Sequence, residues 1–365
     1  MKSLAIVQHG IRRLELTELP VPDTLAGDEV LVRVEGCGIC GTDHEQYAGH
    51  FSGAGRPLDY PLIPGHEPVG RVERIGADAA LRMHIGVGDR IAIQPHAGCG
   101  TCRHCAAGQA PLCTHKRVYG FVPLAVDSGL WGGFSQYMVL KGNTVVHRLP
   151  HHLSIEDAVL FNPLGAGFEW VVALGGTTIG DDVLILGSGQ RGLAGVIAAR
   201  MAGASRIVVT GLAQDRHKLD IARALGATDS VVVDPAEPQC LQDALRGQTF
   251  DRVLEVTPLA TQPIVDAVAL VRPGGTVVLG GLKGNGRKLE IEPDPIVVKG
   301  IRILGARGVS TRSYALAVRA VSSGDYDFAP WHSHTMPLAE AERAIQVLSG
   351  EVRQGPPPLH VTITC

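Results

Sequence analysis

The chain has 365 residues, enough for two domains that each bury a core. Its 45% hydrophobic and 19% charged content is that of a folded globular protein, and a formal net charge of −3 argues against general nucleic-acid or membrane-surface binding. The first residues carry no long apolar core followed by a small-residue cleavage site, and no apolar run is long enough to span a bilayer. The expected setting is therefore cytoplasmic and reducing, where clustered cysteines hold metal.

In chain order, residues 1 to about 150 are β-rich: EVLVRVEG (29–36), VGRVERIG (69–76) and DRIAIQP (89–95) alternate or are β-branched, with Gly, Pro and Asp between them. Cys40 lies in GICGTD (38–43) and His66 in PGHE (64–67). A zinc that polarises an alcohol oxygen needs about three protein ligands and one open position, and Cys40 with His66 begins such a set. Glu67 offers a hard oxygen ligand or an outer carboxylate, Asp43 can orient a ligating imidazole, and Thr42 can pass a hydroxyl proton toward solvent. Cys37 and Cys40 also form C-x2-C, a spacing open to a redox pair, but no thioredoxin-like βαβ pattern surrounds them. Cys99, Cys102, Cys105 and Cys113 follow as C-x2-C-x2-C-x7-C, the spacing of a closed site of four thiolates around zinc; the intervals are short for disulfides. Cys240 and Cys365 have no such company.

From about residue 151 the pattern changes. Ser154 can cap a helix from Ile155, with Glu156 and Asp157 in its first turn. Strands (DDVLILGSG, RIVVTG, SVVVD, FDRVLEVT, GGTVVLGG) then alternate with helical stretches (LAGVIAARMAGA, RHKLDIARALGA), which predicts a doubly wound parallel sheet. Gly187, Gly189 and Gly192 make G-x-G-x-x-G between a strand and a helix, the context in which that motif holds a dinucleotide pyrophosphate; Gln190 and Arg191 lie inside it. The second strand ends at Thr210-Gly211 with no carboxylate before Asp215, and Arg216, His217 and Lys218 follow. A missing carboxylate removes repulsion against a 2′-phosphate, so the cofactor is NADP or NAD, with NADP favoured. After about 301 come short strands, one helix (AEAERAIQVLSG) and a final strand LHVTITC, a tail expected to fold back on the N-terminal domain.

GICGTD (38–43), PGHEPVG (64–70), GDRIAIQP (88–95), the cysteine block 99–113, GGFSQYMV (132–139) and GSGQRG (187–192) occur in one order, and in this the chain resembles the zinc-dependent medium-chain dehydrogenases, the family of alcohol, sorbitol and threonine dehydrogenases. The resemblance implies an α/β protein with two domains. A GroES-like catalytic domain (1–151 and 301–365) carries a structural zinc lobe (95–115), and a Rossmann domain spans 152–300. It implies two zinc ions per chain, Cys40 and His66 as catalytic ligands, Thr42 in a proton relay, a small-molecule alcohol or carbonyl substrate, and a homo-dimer or homo-tetramer, with edge pairing of GGTVVLGG one route to it. Three departures stand out. Asn162 occupies a position where many members have a ligating Cys, Glu or Asp, so Glu67 becomes the favoured third ligand. Glu45 stands where a histidine often follows GTD, with His44 displaced to the preceding position. Gln190 and Arg191 replace apolar residues of the fingerprint. Within the same fold, a zinc-free NADP-dependent reductase is the alternative; a zinc-ribbon interaction module is the remote one, since the cysteine block lacks an aromatic platform.

Overall fold

The structure, a computed structural model, describes residues 1–50, 58–284, 286–353 and 355–365. The glycine-rich stretch 49–61, which by sequence reads equally as a lid or as a plain surface loop, has its residues 51–57 outside the described residues. The chain forms two units, Met1–Asn162 with Ser310–Cys365, and Pro163–Val309.

The first unit opens with an antiparallel hairpin, β1 (Lys2–Gly10) and β2 (Arg13–Pro20). It continues through β3 (Val30–Ile39), β4 (Glu67–Ile75), β5 (Arg90–Ile93), β6 (His96–Ala97), β7 (Arg117–Val118), β8 (Tyr137–Leu140) and β9 (Val146–Arg148). In VLVRVEGCGI of β3 only Arg33 is exposed, so the strand reads as nearly continuous apolar sequence and runs through the middle of the sheet. Its inner face packs with Trp131, Tyr119, Ile91 and Met138 in one core cluster. The antiparallel register of β3 and β4 sets Gly38 opposite Glu67 and Cys37 opposite Pro68. The C-terminal end of one strand and the N-terminal end of the other are thus adjacent, and the residues just beyond them, Cys40 and His66, meet although 26 positions apart.

The second unit holds β10 (Asp182–Leu186), β11 (Arg206–Leu212), β12 (Asp229–Val233), β13 (Phe250–Glu255), β14 (Val271–Leu279) and β15 (Arg302–Gly305), all parallel, in the order β12-β11-β10-β13-β14-β15. Counted within the unit this is 3-2-1-4-5-6, the doubly wound order whose reversal falls between β10 and β13. The chain then returns to the first unit with β16 (His332–Pro337) and β17 (His360–Thr364); β17 pairs antiparallel with β3, Val361 facing Ile39.

Two boundaries differ from those expected. The units divide at 162/163 and 309/310, not at 151/152 and 300/301. The helix Ile155–Val159, capped by the Ser154 hydroxyl as expected, packs on β3: a Cβ at Gly36 would lie 2.7 Å from Ile155 Cγ1. Residues 302–305 pair in parallel with β14 and so extend the second sheet. The same pairing corrects the edge assignment: GGTVVLGG contributes to β14, which has neighbours on both sides, and the sheet edge on that side belongs to β15. A further buried pair ties the second unit together. Lys283 Nζ lies 2.8 Å from Oε1 of the fully buried Glu255 at the end of β13 and 2.6 Å from the Thr257 carbonyl.

Candidate active site

Cys40 caps the helix Gly41–Ala48. Its backbone is extended (φ −120°), its sulfur accepts from the Thr42 N–H at 3.3 Å, and its own N–H donates to the Asp43 carboxylate at 2.9 Å, a reciprocal capping box. The GICGTD segment therefore fixes the thiol and the carboxylate together. The Cys40 sulfur lies 3.2 Å from His66 Nε2, and His66 Nδ1 lies 3.1 Å from Asp43 Oδ1. One ligand atom each from Cys40, His66 and Glu67 falls within 4.8 Å of the other two, and all three residues are buried. Such a set, a thiolate, an imidazole whose far nitrogen is held by a carboxylate, and a carboxylate oxygen, suits zinc with a position left open. Burial works against a charged His66, but the Asp43 carboxylate and the Cys40 sulfur outweigh it and hold its pKa well above the usual value. Thr42 is half-buried on the first turn beside Cys40. Asn162 is buried, and its amide donates to the Tyr314 hydroxyl at 3.3 Å. Glu45 is half-buried, and burial raises its pKa. Cys37 points into the apolar cluster of β3 and β17, where burial raises its pKa well above the usual value, so it does not share the environment of Cys40.

The four remaining clustered cysteines, Cys99, Cys102, Cys105 and Cys113, bring their sulfurs within 4.8 Å of one another. Cys113 is buried and the other three are partly exposed. Hydrogen bonds to the backbone and hydroxyl of Thr101 bring the Cys99 pKa down to about 5; a backbone hydrogen bond at Cys105 lowers that of Cys102. Burial lifts Cys105 to about 11. Four thiolates are enough to fill the tetrahedral positions of a zinc ion, the donor set of a closed site. All eight cysteines are free thiols.

In the second unit the glycine turn leaves β10 and opens the helix Gln190–Met201. Gly187 has φ +114°, and a Cβ at Gly192 would sit 1.9 Å from the Gly187 carbonyl oxygen, so the turn closes only without side chains there. A Cβ at Gly189 would meet nothing within 4 Å, an open cradle where a pyrophosphate can approach the helix N-terminus. Gln190 Oε1 is buried with no hydrogen-bond partner among the described residues. Near the end of β11, Gly211 presents no carboxylate, and a Cβ there would lie 2.7 Å from the Ser188 hydroxyl, which would have to shift to admit a side chain. Asp215 is engaged by Lys218 at 3.0 Å, while Arg216 is exposed. Trp170, stacked with Arg191 at this turn, was not legible in the sequence: an isolated tryptophan carries no motif.

The chain matches the family profile of the alcohol dehydrogenase GroES-like domain over residues 26–151 and that of zinc-binding dehydrogenases over residues 192–323. It is 39% identical to a "probable alcohol dehydrogenase" of Mycobacterium tuberculosis (strain ATCC 25618 / H37Rv), over 99% of this chain and 98% of that protein. It is 32% identical to the L-threonine 3-dehydrogenase of Saccharopolyspora erythraea, over 91% and 92% of the two chains. Among solved structures, a Sinorhizobium meliloti 1021 protein assigned as a zinc-binding dehydrogenase and bound to NADP superimposes with a TM-score of 0.84 at 28% identity, covering 100% of both chains. The chain belongs to the zinc-dependent medium-chain alcohol dehydrogenase family.

Proposed function

We propose that this protein is a zinc-dependent oxidoreductase that transfers a hydride between an alcohol, of the secondary-alcohol or polyol class, and NADP. The observation that carries the reading is the buried Cys40–His66–Glu67 set with Asp43 behind the imidazole. When bound, zinc supplies the Lewis acidity that lowers the pKa of a substrate hydroxyl, and the nicotinamide accepts the hydride. The rest falls to this chain's residues. Asp43 accepts a hydrogen bond from His66 Nδ1, which leaves the Nε2 lone pair directed toward Cys40. Cys40 provides a thiolate fixed by the helix cap, and Glu67 completes the donor set in preference to Asn162, whose amide is committed to Tyr314. Thr42, two positions beyond the helix cap Cys40, offers a hydroxyl to carry the substrate proton outward. Cys99, Cys102, Cys105 and Cys113 hold the second, structural zinc.

Gly187, Gly189, Gln190, Arg191 and Gly192 bind the pyrophosphate end of the cofactor, and Gly211 with Arg216 the adenosine ribose. The lack of any carboxylate at Gly211, the pairing of Asp215 with Lys218, and the NADP in the Sinorhizobium neighbour support NADP over NAD. No described helix is long and apolar enough to cross a membrane. None of the eight cysteines is in a disulfide, in keeping with a cytoplasmic, reducing setting. A homo-dimer through the sheet edge at β15 is the assembly we favour, since the neighbouring helix Asp294–Lys299 exposes Val297 at 77% and Val298 at 85%.

The test is elemental analysis of Cys40→Ala beside the parent chain. The parent is expected to hold about two zinc ions and the variant about one, with NADP binding kept and alcohol oxidation abolished. A parent with a single zinc, or undiminished turnover in Cys40→Ala, replaces this reading with that of a zinc-free reductase.

A further inference from the structure

The dinucleotide turn carries a pair of side chains that the glycine pattern does not require. Arg191 lies in the first turn of the helix Gln190–Met201, and its guanidinium carbon is 5.6 Å from the centre of the Trp170 ring. Trp170 comes from Phe168–Leu174, a π-helical stretch, a rare wide-turn conformation that recurs at functional sites. Its ring is fixed from two directions. The indole N–H donates to the Gly308 carbonyl at 3.2 Å. Against the ring lies Gly280, just beyond β14, where a Cβ would come within 2.8 Å of the six-membered ring. The result is an aromatic platform held by a hydrogen bond and a close backbone contact, under a guanidinium in the first turn of the helix whose N-terminus collects backbone N–H groups and where Gly189 leaves space.

We propose that Trp170 is a positioning residue: it holds the Arg191 guanidinium over the N-terminus of the helix Gln190–Met201, where Arg191 contacts the pyrophosphate of the bound dinucleotide. The inference rests on the dinucleotide reading above. Backbone N–H groups supply partial charges, whereas a planar guanidinium supplies a full charge and two parallel donors to phosphate oxygens. Stacking removes rotamer freedom from a long side chain before the ligand arrives, so less is lost on binding. The pyrophosphate is the partner because Arg191 follows β10, while the adenosine ribose belongs at the end of β11, beside Gly211 and Arg216.

The experiment is calorimetric titration of the full chain with ADP-ribose, which keeps the pyrophosphate and ribose but lacks nicotinamide and 2′-phosphate, alongside NADPH. Arg191→Met should weaken ADP-ribose binding about 10-fold, the loss of one charge-assisted contact, and Arg191→Lys should weaken it less. Trp170→Leu should weaken it comparably at unchanged zinc content, with the KM for cofactor raised more than kcat is lowered. Trp170→Phe, which keeps a stacking face, should restore most of the affinity. Combining Arg191→Met with Trp170→Leu should cost no more than either alone. Parental ADP-ribose affinity in a folded Arg191→Met protein, or additive losses in the double variant, overturns the proposal while the dinucleotide reading stands. Failure of the parent to bind either ligand overturns that reading itself.

Discussion

The two sulfur-bearing clusters of this chain use the same element for opposite ends. At Cys40, His66 and Glu67 the donors are of three chemical kinds and all are buried, and the carboxylate behind the imbedded imidazole is itself buried. Charge there is governed by desolvation and by the facing Asp43 and Cys40 groups. At Cys99, Cys102, Cys105 and Cys113 the donors are identical, three are partly exposed, and local hydrogen bonds lower two of the thiol pKa values. Donor number and burial, rather than the presence of cysteine, separate a buried set of three mixed donors from a partly exposed set of four thiols.

That contrast can be broken by substitution. Asp43→Asn removes the carboxylate that fixes His66 but leaves every candidate ligand in place. It should lower kcat/KM by about 10–100-fold, with zinc in the four-cysteine lobe retained; activity within twofold of the parent would remove Asp43 from the site. Cys102→Ser should act the other way, lowering the melting temperature by roughly 5–10 °C, as expected for the loss of about 2–3 kcal/mol in a domain of this size, and costing one zinc. A melting temperature unchanged by Cys102→Ser would mean that the lobe staples nothing.

The difference can also be sharpened by chemistry. In metal-stripped protein, iodoacetamide should label Cys99 before Cys40, by about 10-fold or more, because the first is accessible and held as thiolate while the second is buried. The sign with pH follows from the depressed Cys99 value of about 5. Its labelling should stay nearly constant from pH 8 to about 6 and fall as the pH drops below about 5, as the thiolate is protonated. Peptide mapping at pH 6 checks this, and equal labelling of Cys40 and Cys99 would refute the difference in environment.

Much of the site was legible because its signals are local. C-x2-C-x2-C-x7-C brings four sulfurs together within 15 residues, and GICGTD forms a capping box within four, so neither depends on distant folding. The glycine fingerprint is local for the same reason: the clash of a Cβ at Gly192 with the Gly187 carbonyl is settled inside one turn. Domain boundaries were less legible, since a short helix such as Ile155–Val159 and a short strand such as Arg302–Gly305 carry no mark of which sheet they will join.

The sequence alone thus determined the donor types, their local spacing, the alternation that makes a parallel sheet, and the missing carboxylate after the second Rossmann strand. Only the tertiary structure decided the rest. The β3–β4 register set His66 against Cys40. The pairing of β15 with β14 placed one edge of the second sheet at β15. A π-helix brought Trp170 beneath Arg191 across 21 positions of sequence. Those contacts depend on strand order and on which backbone approaches which, and long-range packing of that kind leaves no periodic trace in the residues it joins.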